Sequence, residues 1–168
     1  MNRFWNFVHY YAYISDYKLH LLFNRINPIL YLYKLPFAKK HFEKMKIDPV
    51  IELNRTFQRP DIGISSIRSS GLMYILVFLL CCGLGNLYIG VYRIKFHVSI
   101  YPFILAIAIS LIVNYYLLFR HKKYLHYFKE FEKMESSDKK RWSLLSLGVI
   151  LGIMIFAIGS FLFMIYRF

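Results

Sequence analysis

The sequence predicts an all-α integral membrane protein: three transmembrane helices preceded by a layer of short amphipathic helices at the cytoplasmic interface. Three observations lead there. Hydrophobic residues make up 58% of the 168, with a mean hydropathy of +0.41, which is too apolar for an ordinary soluble domain. Residues 71–92, 98–119 and 142–166 carry no Lys, Arg, Asp or Glu, and about 20 apolar residues suffice to cross a hydrocarbon core of about 30 Å. The 22 Lys and Arg outnumber the 9 Asp and Glu and are concentrated in the segments flanking those runs.

Residues 1–57 read as short cytoplasmic or interfacial helices. Phe4, Trp5, Phe7, Val8, Tyr10, Tyr11 and Ile14 form an aromatic run too short and too interrupted to span. Asp16 is placed to cap a helix over 17–26. Asn27-Pro28 and Asp48-Pro49 each pair a capping residue with a proline in first-turn position, and Pro36 starts a further helix. In that helix Ala38, Phe42 and Met45 share a face, while Lys39, Lys40, Lys44 and Lys46 occupy the others and can snorkel from an interface. The polar stretch 58–70, with Pro60, Gly63 and several serines, reads as a linker.

The first span, 71–92, can be capped by Ser69 or Ser70. Arg93, Lys95 and His97 make a short external turn over 93–97. The second span, 98–119, has Ser99 as cap and Pro102 in its first turn. Beyond it Tyr124, Tyr127, Phe128, Phe131 and Met134 recur at intervals of three and four, so the helix is expected to continue as an amphipathic stalk to about 135. Ser136, Ser137 and Asp138 mark a turn over 136–141, and the third span runs over 142–166. Residues 1–70 and 120–141 together hold 19 of the 22 Lys and Arg. The positive-inside rule therefore places the N-terminus in the cytoplasm and the C-terminus outside, in a plasma or bacterial inner membrane; the Lys, Ile, Tyr and Phe richness fits an AT-biased bacterial genome. The N-terminus lacks the clean apolar core and small-residue cleavage site of a signal peptide, so insertion is expected to depend on the spans.

The basic balance is expected to face the anionic cytoplasmic leaflet of the bilayer, and nucleic acid is disfavoured as a partner. Each span carries small or polar residues at helical spacing: Cys82, Asn86 and Gly90; Ala106, Ser110 and Asn114; Gly148, Gly152 and Gly159. Lipid tails provide no hydrophobic drive between helices, so such stripes are expected to pack helices within the chain or between chains. Asn86 and Asn114 are read as interhelical hydrogen-bonding groups, with pore ligands as the alternative. The aromatic face of Tyr124, Phe128 and Phe131 needs a cover, either the N-terminal helices or a docked protein.

Site chemistry is sparse. Cys81 and Cys82 are adjacent, a spacing that suits neither a disulfide framework nor a metal site. None of the six histidines has ligand spacing, and Asn54-Arg55-Thr56 matches a glycosylation sequon on a segment expected to be cytoplasmic. No catalytic, metal or cofactor site is expected. The functional expectation is a non-enzymatic accessory or scaffold subunit that self-associates or docks another membrane or cytoplasmic protein. A pore-forming effector using Asn86 and Asn114 is the first alternative. A small interfacial enzyme using His121, Lys122 and Glu130 is the second.

Overall fold

A computed structural model describes residues 2–33, 35–94 and 99–167. Lys95 and His97 of the expected turn, and Val98 at the expected start of the second span, lie outside the described residues. Those described are helical, without a strand. The helices are α1 (Asn2–Asn24), α2 (Pro28–Leu32), α3 (Pro36–Met45), α4 (Pro49–Gln58), α5 (Ile64–Tyr92), α6 (Tyr101–Asn114), α7 (Lys123–Glu132) and α8 (Ser136–Tyr166). Three stretches are long and apolar enough to cross a membrane: Ile64–Tyr92, Tyr101–Glu132 and Ser136–Tyr166. The chain forms two compact units, one of Met1–Tyr11 with Ser70–Phe168, the other of Ala12–Ser69.

In the second unit, prolines begin α2, α3 and α4 where the sequence places them. Asp48 caps α4, accepting from Val50 N at 2.8 Å and Ile51 N at 3.2 Å. Asp16 behaves differently. No Pro or Gly occurs before Pro28, so α1 passes straight through Asp16, whose low helix propensity costs well under about 1 kcal/mol. Its carboxylate stands 3.5 Å from the Arg68 guanidinium. The other end of α1 is held to α4: the His20 ring stacks on Phe57 at 3.5 Å, and Asn54 Oδ1 accepts from Asn24 Nδ2 at 2.8 Å. The Tyr13 hydroxyl donates to the Gln58 carbonyl.

The expected linker is mostly helix. Ser66 Oγ donates to Pro60 O at 2.7 Å and Ser69 Oγ to Ser66 O at 3.0 Å, so these two serine hydroxyls are consumed locally, and α5 begins at Ile64. The connection shrinks to residues 59–63 and turns on Gly63. A Cβ there would collide with the Arg59 carbonyl and lie 2.8 Å from Phe57 O, so only glycine fits.

In the first unit, side-chain register fixes the helix directions. Met73 and Tyr74 of α5 meet Asn114 and Ser110 of α6, so those two run antiparallel. Gly83 and Gly90 of α5 lie against Phe156 and Phe163 of α8, so those two run parallel. This alternation is the one that three successive membrane crossings would require. The core, Val8, Met73, Leu76, Leu118 and Ile153, draws on α1, α5, the end of the second long stretch and α8.

That second stretch is not one straight stalk. After α6 it widens into a π-helical segment, Tyr115–Phe119, then tightens through Arg120–Lys122, where His121 (φ 57°) and Lys122 (φ 52°) are left-handed. Two left-handed residues cost roughly 1–2 kcal/mol each, offset by the burial that the re-aimed α7 achieves. α8 starts at Ser136, earlier than the expected 142, with Glu135 at the cap position and Asp138 in its first turn, where a carboxylate suits the helix dipole.

Candidate functional site

The first ten residues of α1 are latched to the bundle by buried polar groups. Trp5 Nε1 donates to Asn114 Oδ1 at 3.1 Å, and Asn114 Nδ2 donates to Met73 O at 3.2 Å and Ser110 O at 3.0 Å. Ser110 Oγ donates to Tyr74 O at 2.7 Å. Asn6 Nδ2 reaches Leu117 O at 3.0 Å and Asn2 O at 2.8 Å. Asn6 and Asn114 are fully buried. A buried amide N–H left unpaired costs several kcal/mol in apolar surroundings, so these donors favour one seating of α1, although Asn6 Oδ1 has no partner among the described residues.

His9 extends the latch. It is fully buried, with Nε2 3.2 Å from Ser70 Oγ and its ring among Phe119, Tyr124 and Phe128. Burial pushes its pKa from 6.5 down to about 3, so the ring is a neutral imidazole and a weak base. No carboxylate orients Nδ1, which has no partner among the described residues. The Ser–His contact therefore positions α1 and lacks the third group that activates a nucleophile. Among the described residues no three His, Cys, Asp or Glu side chains gather as a metal site.

Of the two covers expected for the aromatic face, the N-terminal helices or a docked protein, it is α1 that lies over it. Phe128 and Phe131 are 2% and 1% exposed. Phe7 meets Phe131 at 4.7 Å, and Tyr10 packs edge-on against Phe128 at 5.2 Å. Tyr124 is half-buried, 5.5 Å from the His9 ring. Arg3 and Glu130 close the rim at 2.7 Å, while His121 and Lys122 are exposed at the break.

The three stripes have different surroundings. Ala106, Ser110 and Asn114 are buried together. On α5, a Cβ at Gly90 would lie 2.9 Å from the Phe163 ring and 3.3 Å from Met164 Cα; Cys82 is half-buried with a free thiol, and Asn86 is half-buried with no side-chain hydrogen bond among the described residues. Gly83, which the sequence reading missed, is the tighter seat: a Cβ there would lie 2.5 Å from Phe156. Its seven-residue spacing from Gly90 is the signal that could have revealed it. On α8, Ser146, Ile153, Ser160 and Met164 are buried, whereas Gly148, Gly152 and Gly159 are exposed and a Cβ at any of them would meet nothing within 4 Å.

Compared with models of protein families, with curated proteins and with solved structures, the chain matches none.

Proposed function

We propose that the protein is a non-enzymatic, multi-pass membrane subunit that associates with copies of itself through the glycine face of α8. One observation carries this reading. Gly148, Gly152 and Gly159 line one side of a helix of membrane-spanning length with none of the described residues against them, while that helix packs internally through Ser146, Ile153 and Ser160. In lipid, close backbone approach at small residues is a main source of helix affinity, and glycines spaced four and seven apart permit it. In this reading the N-terminus and residues 120–141, which hold most of the Lys and Arg, face the cytoplasm and its anionic leaflet.

The aromatic cover over α7 favours self-association over docking on that face, because α1 already occupies it. A pore is less favoured, because Asn114 spends its amide on Trp5, Met73 and Ser110 and leaves Asn86 alone to line a path. The test is disulfide cross-linking in native membranes, in a background with Cys81→Ala and Cys82→Ala. Ile155→Cys, which shares the glycine side of α8, gives a dimer-sized band, and the inward Ile153→Cys gives none. Failure to trap a homo-oligomer from any position on that face rejects the proposal.

A further inference from the structure

In the second unit, two open cavities lie against one aromatic wall. The larger, about 740 Å³, is bordered by Arg25, Lys39, Glu43, Lys46 and Asp48. The smaller, about 550 Å³, is walled by Leu32, Leu35, Phe37 and Ala38, with His41 at its edge. Tyr33 and Phe42 line both and pack edge to face at 5.4 Å. Each volume falls within the roughly 300–1,000 Å³ of small-molecule sites.

The charges of the larger cavity are unevenly spent. Glu43 stands 3.8 Å from Lys39, and Asp48 is engaged as the cap of α4. Arg25 and Lys46 have no carboxylate partner among the described residues. Lys46 is held there by the left-handed turn that ends α3, its N–H bonded to the Glu43 carbonyl at 3.1 Å. Across the aromatic wall the surface is strongly apolar and open, with Phe37 78% exposed. Two unspent cations on one side of a wall and an apolar pocket on the other match a ligand with an anionic head and a hydrocarbon tail.

We propose that α2–α4, with the end of α1, form a binding site for one anionic phospholipid. Its phosphate is held by Arg25 and Lys46, and one acyl chain crosses the Tyr33–Phe42 edge into the smaller cavity. The source is the bilayer, since the same chain carries three helices long and apolar enough to cross one. The proposal rests on membrane insertion and is independent of self-association.

The test uses the full chain, delipidated in mild detergent and examined by native mass spectrometry. It is offered phosphatidylglycerol, phosphatidylcholine with the same acyl chains, or soluble glycerol phosphate. The expected result is one phosphatidylglycerol retained per chain, with little phosphatidylcholine and no glycerol phosphate. Arg25→Glu with Lys46→Glu lowers retention about tenfold, the scale of losing charge-assisted contacts to phosphate, and Leu35→Glu lowers it by blocking the tail. Circular dichroism checks that these exposed substitutions leave the helices intact. Equal retention of phosphatidylcholine, binding of glycerol phosphate alone, or wild-type retention by the double variant overturns the proposal. Because the same spectra count chains per particle, loss of lipid and loss of self-association are separate readings.

Discussion

Asn114→Leu is the sharpest perturbation of the latch. Leucine matches asparagine in shape but removes one acceptor and two donor contacts, at 3.0 to 3.2 Å. The carbonyls of Met73 and Ser110 keep their places in α5 and α6, so losing the Asn114 donors costs little there. The Trp5 N–H, in contrast, loses its acceptor on a half-buried indole, and a donor stranded away from water costs about 1–3 kcal/mol. Interhelical hydrogen bonds in membranes average about 0.6 kcal/mol each, so about 2 kcal/mol in total is a fair central figure, and it falls on the contact between α1 and the bundle. About 2 kcal/mol corresponds to a roughly 30-fold rise in the population of released α1. Hydrogen exchange of amides 2–11 measures it, with Asn86→Leu as control because Asn86 has no side-chain hydrogen bond among the described residues. Unchanged exchange in Asn114→Leu, or an equal effect from Asn86→Leu, refutes the latch.

Further expectations follow from the same packing. Gly83→Ala and Gly90→Ala each force an α5–α8 clash with Phe156 or Phe163 and lower stability by about 1–3 kcal/mol in denaturant titration, whereas Gly152→Ala leaves the fold of the single chain unchanged or slightly stabilised. His9, neutral when docked with a pKa of about 3 against an ordinary 6.5, takes up a proton when α1 is released below about pH 6.5. Its contribution is therefore fully present above that pH and is lost as pH falls towards 3. Between pH 7.5 and 5.5 the docked state loses on the order of 1 kcal/mol; exchange of amides 2–11 across that range rises in the wild type, and a His9→Leu variant with the same pH slope contradicts the assignment. Phe128→Ala empties the contact with Tyr10 and His9 and costs about 3–5 kcal/mol, read as new protease cleavage in both α1 and α7.

What the sequence revealed was local chemistry and length. Pro28, Pro36 and the Asp48-Pro49 pair act through their own backbone, so the starts of α2, α3 and α4 were legible. The three long apolar helices were legible because crossing length is a property of one segment. Asp16 misled because its side chain could cap or pair, and only the folded chain brings Arg68 within reach. Residues 64–70 misled because serine polarity resembles a linker until the Ser66 and Ser69 hydroxyls are seen bonded to the carbonyls of Pro60 and Ser66. The left-handed step at His121 and Lys122 has no local signature; it is imposed by burying Phe128 and Phe131 under α1. Of the candidate site, the buried Ala106–Ser110–Asn114 stripe was readable from spacing. The partners of Asn114, 109 residues away at Trp5, were not. Nor was the division of glycines into those packed inside, at positions 83 and 90, and those left open on α8.

Self-association through α8 is decided by the mass of the particle. Extraction into native nanodiscs followed by mass measurement should give a whole-number multiple, two or more, of the 20.2 kDa chain. Gly148→Leu with Gly152→Leu should return it to a single chain whose helical content is unchanged. A wild-type particle containing one chain, or an oligomer that survives both glycine substitutions, contradicts the proposal.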